Sequence, residues 1–176
     1  MSIPDPKSRM TEPPVLVRGL TRRYGPLRAL DGVDLRLEQG EFLTVFGPNG
    51  AGKTTLLKIL AGLVRPTSGS VMLFGLNPRE EPDLVKRRLG LIAHTGLLYG
   101  GLTARDNLRF YARMYDLEEA DKRADALLVE VGLGERADHL VRGFSRGMQQ
   151  RLSIARALIH DPEIVLLDEP YTRLAP

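Results

Sequence analysis

Gly47-Pro48-Asn49-Gly50-Ala51-Gly52-Lys53-Thr54 is the stretch on which the fold turns. It meets the pattern G-x-x-x-x-G-K-[ST] at every position. Glycines let the backbone curl until successive N–H groups face one anion. The helix that must follow adds its unpaired amides and the positive end of its dipole. In such a loop Lys53 reaches the β and γ phosphates, and Thr54 offers a hydroxyl to Mg²⁺. The flanks supply the context the motif needs. Residues 42–46 are a short apolar run containing Thr44 and Val45, the pattern of a buried strand. Residues 53–61 place Leu56, Leu57, Leu60 and the stem of Lys53 on one helical face, and Gly62 is the natural stop. Strand, glycine loop and helix predict an α/β domain. Gly47, Pro48, Asn49, Gly50, Ala51, Gly52, Lys53, Thr54 and Thr55 would hold the phosphates of ATP. The rival reading is a glycine-rich turn that binds nothing and leaves Lys53 in solvent.

Outward from the loop, residues 15–20 read as a strand and residues 21–26 as a turn. Residues 30–37 alternate, with Leu30, Gly32, Asp34 and Arg36 on one side and Asp31, Val33, Leu35 and Leu37 on the other, a half-buried strand. Residues 66–69 form a turn, 70–74 a strand and 89–94 a further short strand. Thr103 caps a helix whose first turn carries Asp106. Residues 117–133 form a second helix with Leu127, Leu128 and Val131 inward, and residues 147–159 a third with Leu152, Ala155, Leu158 and Ile159 inward. Residues 164–167 are four consecutive apolar residues, read as a buried central strand. The order is a sheet, a helical stretch at about 82–140, and a helix leading back to the sheet.

Asp168-Glu169 closes that last strand. Beside a phosphate loop, Asp168 would hold Mg²⁺ through water, and Glu169 would polarise the attacking water. The alternative is two solvated acids at a strand end. His139 and His160 read as surface or cap histidines, since neither has metal-ligand spacing to the other.

Composition limits the rest. The chain has 176 residues, 43% hydrophobic and 27% charged, enough for one good core. It has no cysteine, which removes disulfides, thiolate metal sites and a thiol nucleophile. Its net charge of +3 is too small to argue for nucleic acid. Residues 1–14 carry four prolines and read as a loose tail. No run of 18 apolar residues occurs, so work at a membrane would go through a partner.

With these residues in place, the chain resembles the ATP-binding subunit of an ABC transporter. Phe144-Ser145-Arg146-Gly147-Met148-Gln149-Gln150-Arg151 is similar to the family signature L-S-G-G-Q followed by Q-x-R. Ser145 and Gly147 match it, while Arg146 and Met148 depart from it. The resemblance implies a P-loop NTPase with an ABC-type core, an antiparallel N-terminal portion and a helical subdomain. It implies that Ser145 and Gly147 close over the γ-phosphate held by a second copy, so ATP sits in a dimer. Tyr24 matches the aromatic residue that stacks on adenine, its alternative being a packed strand-end tyrosine. His94 stands where the family has glutamine and would contact Mg²⁺-bound water, or else is a core or surface histidine. The implied partner is a membrane subunit, the implied place is the cytoplasmic face of the cell membrane, and no nucleic acid is implied.

Ala93-His94-Thr95 and Asp168-Glu169-Pro170-Tyr171-Thr172 are similar to the haem exporter ATP-binding subunit of cytochrome c maturation. After Asp-Glu-Pro the family continues with an aspartate loop, another strand and a switch histidine. Here Tyr171-Thr172-Arg173-Leu174-Ala175-Pro176 follows. The expectation is therefore an incomplete ABC-type domain over residues 15–176, with C-terminal strands missing. Its function is either an ATPase subunit or a nucleotide-binding fragment that hydrolyses poorly.

Overall fold

Val15 and Val17 are buried at strand spacing, but the next buried residue is Leu20, three places on rather than two. In the computed structural model, which describes residues 12–92 and 97–168, a bulge accounts for the extra residue. Strand β1 (Val15–Tyr24) lies between β2 (Leu27–Leu37) and β3 (Ser68–Leu73), antiparallel to both. Between the pairs Val17–Leu35 and Leu20–Val33 the register slips. Gly19 takes up the slip at φ 54°, in the left-handed region open to glycine. Its amide, turned out of the ladder, is accepted by the Asp34 carboxylate at 2.8 Å. A second slip lies opposite, at Gly32, whose amide donates to Thr21 Oγ1 at 3.1 Å.

These bulges correct two expectations. Leu30 and Val33 come to one side despite their odd spacing, which is how Leu30 is buried while its alternates Gly32, Asp34 and Arg36 are exposed. The turn expected at 21–26 is shorter, because β1 runs on to Tyr24. A third expectation fails outright. Residues 42–46 form no strand, and Phe42 and Phe46 are among the most exposed apolar side chains. A β-prone run becomes a strand only where a neighbour accepts its backbone groups, and among the described residues none does.

Helix α1 (Lys53–Leu60) buries Leu56, Ile59 and Leu60, so Ile59 takes the place expected for Leu57. It ends as its sequence predicts, with Gly62 at φ 71° and the Leu63 amide returning to the Lys58 carbonyl at 2.8 Å. A single turn, α2 (Pro82–Lys86), completes the first of two compact units, which divide between Lys86 and Arg87.

In the second unit β4 (Leu89–Ile92) pairs in parallel with β5 (Ile164–Leu167), in register from Leu89–Ile164 to Ile92–Leu167. A parallel pair needs a long crossover, which here includes α3 (Ala104–Met114), α4 (Ala120–Glu130) and α5 (Arg146–Leu158). The helices meet over Leu108, Ala112, Leu127, Leu128, Leu133, Leu152 and Ala155. Strand β5 is less enclosed than its apolar run suggests: Leu166 is buried, but Val165 and Leu167 face outward.

Three polar side chains tie this unit together. Asn107, fully buried, accepts from the Tyr99 amide at 2.8 Å and donates to the Tyr99 and Thr103 carbonyls at 3.0 and 2.9 Å. Arg156 on α5 donates to the Leu91 carbonyl of β4 and lies 5.3 Å over the Tyr111 ring. His160, expected at the surface, is half-buried. It stacks on Tyr115 at 3.9 Å and points Nε2 at the Leu89 carbonyl, 3.1 Å away.

Two outcomes are expected. Asn107→Ala removes three hydrogen bonds from a fully buried side chain and leaves the Tyr99 amide without its acceptor, so urea denaturation should show a loss of about 1–3 kcal/mol; an unmoved midpoint would refute the clamp. Burial pushes the His160 imidazole below its ordinary value, and its Nδ1 is buried without an acceptor among the described residues. Folding thus favours neutral His160. Its contribution is present above the unfolded value near 6.5 and fades as pH falls below it. Urea midpoints compared at pH 7.5 and 5.5 should drop less in His160→Gln than in wild type; equal drops would show that another group governs.

Candidate functional site

The glycine loop owes its shape to two residues in the left-handed region, Gly50 at φ 84° and Gly52 at φ 88°. Gly52 is restricted a second time: a Cβ there would run into the Ala29 carbonyl and the Leu30 side chain. The Ala51 amide donates to the Pro48 carbonyl at 3.2 Å and tightens the turn. The Gly52 carbonyl then accepts the first helical bond of α1, from the Leu56 amide at 2.9 Å. No side chain caps this helix start and its first turn holds no acidic residue, so its positive end is open to an anion.

Lys53 folds back across the loop. Its ammonium donates to the Gly47 and Pro48 carbonyls at 2.8 and 2.9 Å. The ammonium is thereby held against the loop that the motif assigns to phosphate. Thr54 and Thr55, half-buried, follow in the first turn of α1. The residues fit a triphosphate: a helix start with no side-chain cap, a lysine ammonium at the loop and a threonine hydroxyl next in sequence.

Tyr24 ends β1 with 42% of its surface exposed. One face of its ring is covered by the Arg22 guanidinium, 4.4 Å from the ring centre. Sequence reasoning passed over Arg22. The available signal was the i, i+2 spacing, which puts both side chains on one face of a strand.

The other predicted residues belong to the second unit. Ser145 is the N-cap of α5, its hydroxyl accepting from the Met148 amide at 3.3 Å. Gln149 reaches back to the Phe144 carbonyl at 3.2 Å, and Phe144 is buried, which anchors the segment. Space is open where a Cβ would stand on Gly147, and the first turn of α5 carries no acidic residue. Asp168 is buried directly after β5, its amide donating to the Ile92 carbonyl at 2.9 Å, so the strand register places it. Glu169 and His94 lie outside the described residues. Among the described residues no group of three His, Cys, Asp or Glu is gathered for a metal. Mg²⁺ held by one or two protein groups and the substrate's phosphates needs no such group.

Comparison with known proteins places this geometry. Residues 30–172 match the family model described as ABC transporter. The daunorubicin resistance ATP-binding protein DrrA3 of Streptomyces coeruleorubidus is 41% identical over 95% of this chain and 54% of its own length. The ATP-binding protein NatA of Bacillus subtilis is 41% identical over 84% of the chain and 61% of its own. The glutamine transport ATP-binding protein GlnQ of Escherichia coli is 38% identical over 90% and 69%. Among solved structures, an ATP-binding subunit of an ABC transporter superposes with a TM-score of 0.82 at 32% identity, covering 90% of this chain and 67% of that one. The chain thus spans little more than half the length of the first two of these relatives.

Removing the Lys53 cation tests the loop. Lys53→Ala should weaken Mg-ATP binding roughly 10- to 100-fold in an equilibrium titration, the scale of lost charge-assisted hydrogen bonds. Equal affinity in two folded proteins would contradict the assignment.

Proposed function

The chain belongs to the ABC transporter family of ATP-binding subunits, and from that premise we propose that it couples ATP hydrolysis to transport by a separate membrane subunit. The observation that carries this reading is the uncapped start of α1, with Lys53 folded over the glycine loop. ATP places its phosphates on residues 47–55. Thr54 would offer its hydroxyl to Mg²⁺, and Asp168 is the carboxylate that the family resemblance assigns to the metal; when bound, the metal would offset charge on the β and γ phosphates. Lys53 stabilises the same charge as it develops, and Glu169 orients the attacking water. His94, where the family has glutamine, would be the residue to meet the metal's water. Tyr24 stacks on adenine.

The segment at Ser145 and Gly147 closes over the γ-phosphate of a second copy. Its support is a second helix start free of acidic side chains, with open space at Gly147. Arg146 adds positive charge in the first turn, favourable for facing a phosphate.

A membrane subunit needs a surface to push on. The second unit exposes Leu97, Tyr99, Leu102 and Phe110, with the Tyr99 and Phe110 rings edge to face at 5.1 Å. Exposed aromatic and aliphatic groups of this kind suit a protein partner. No described helix is long and apolar enough to cross a membrane. The proposed location is the cytoplasmic face of the cell membrane.

Relatives named for daunorubicin, bacitracin and glutamine match this chain at 41%, 41% and 38% identity. Names so different single out no one cargo for this chain. Haem as cargo rests on residues 93–95 and 168–172 alone, and the relatives' names lend it no support.

Phosphate release by the intact protein at saturating Mg-ATP tests the proposal. Glu169→Gln should lower the rate about 100-fold or more while leaving nucleotide binding in place. An unchanged rate would assign the water to another base.

A further inference from the structure

The β1–β2 end of the first unit meets the glycine loop through backbone. The Ala29 carbonyl is the atom that a Cβ on Gly52 would strike. Ala29 itself is the extra residue of a third bulge, since Arg22 pairs with Leu30 and Arg23 with Arg28. The strand end carrying Arg22 and Tyr24 is therefore joined, through one bulged residue, to the start of α1. This end of β1 presents Tyr24 as an exposed ring.

A ring on an exposed strand end turns about χ1 and χ2 unless something holds it. Arg22 does so. Its Nη1 donates to the Arg65 carbonyl at 3.0 Å, which ties the guanidinium to the segment before β3. The Arg23 amide donates to Thr67 Oγ1 at 3.0 Å and the Thr67 amide to the Thr21 carbonyl at 2.8 Å, fixing that segment to β1. Held there, the guanidinium lies over one face of Tyr24, its carbon 4.4 Å from the ring centre. Arg22 Nε is buried and unpartnered among the described residues, so the Arg65 bond and the stack are what the side chain gains for its position.

We propose that Arg22 is a positioning residue for base recognition: by covering one face of Tyr24 it orients the ring and leaves the opposite face to stack on the purine. The proposal rests on the nucleotide reading of the loop. Arg22 touches the tyrosine and not the phosphates, so its removal acts on the base and spares the triphosphate. A planar guanidinium stacks on a ring as an ammonium does not.

The test is a titration of the full chain with Mg-ATP and, separately, with Mg-tripolyphosphate, which has no base. Arg22→Ala should weaken ATP about two- to fivefold, the range for an exposed cation–π contact, and leave tripolyphosphate unchanged. Arg22→Lys should recover part of the loss. In a double-mutant cycle, adding Arg22→Ala to Tyr24→Ala should cost nothing further. If Arg22→Ala fails to fold by circular dichroism, Arg22→Gln takes its place in the cycle. Equal weakening of both ligands would overturn the proposal, because charge alone would then be acting. So would additive losses in the cycle, or unchanged ATP affinity beside a weakened Tyr24→Ala. A wild-type chain binding neither ligand would instead bring down the nucleotide reading, and this proposal with it.

Discussion

The contact between Gly52 and the Ala29 carbonyl sets the first unit. A helix start pressed against a strand's backbone leaves no room for a side chain, and the left-handed φ at Gly52 excludes one independently. Because the approach is backbone to backbone, the direction of α1 relative to β2 does not depend on how a side chain packs. The contact sits where the glycine loop passes into α1, so a residue with any Cβ at 52 would have to shift the helix start or β2.

The second unit is organised along α5. At 13 residues the helix spans about 20 Å. Ser145 stands at its start, and Arg156, in its last turn, donates to the Leu91 carbonyl of β4. A rigid rod thus joins the Ser145 segment to β4. Burying a guanidinium costs desolvation, which pulls the Arg156 charge below its ordinary stability, and the Tyr111 and Tyr115 rings beside it offset part of that cost. The expense makes sense if the tie between helix and strand must not slip.

Much of this was legible in the sequence where a residue type has one physical use. The glycine loop, the Thr103 cap on Asp106 and the bounds of β5 all follow from local chemistry. What escaped depended on partners distant in sequence. Simple alternation misplaced Leu30 because bulges at Gly19 and Gly32 shift the count. The apolar run at 42–46 looked like a strand, yet a strand is a relation between chains of residues and not a property of one. Asn107 read as an ordinary helix residue, since only the returning loop at Tyr99 gives its amide a purpose. His160 looked like a surface group until Tyr115, 45 positions away, supplied its stacking face.

The bulges of the first sheet bear on how the protein keeps to itself. With the order β2-β1-β3, strands β2 and β3 are the margins of this sheet among the described residues, where a foreign strand would add. Along β2 the bulge at Gly32 interrupts the even spacing of donors and acceptors, and Thr21 takes the displaced amide. Charge covers the same margin, with Arg28 paired to Asp31 and Arg36 to Glu38, each at 2.6 Å. The β3 margin is six residues long and opens with Ser68, Gly69 and Ser70, all exposed and without apolar side chains. An incoming strand would meet a broken ladder, solvated charges and little to bury. The irregularities that position the glycine loop from within thus make the sheet a poor template for cross-β growth from without.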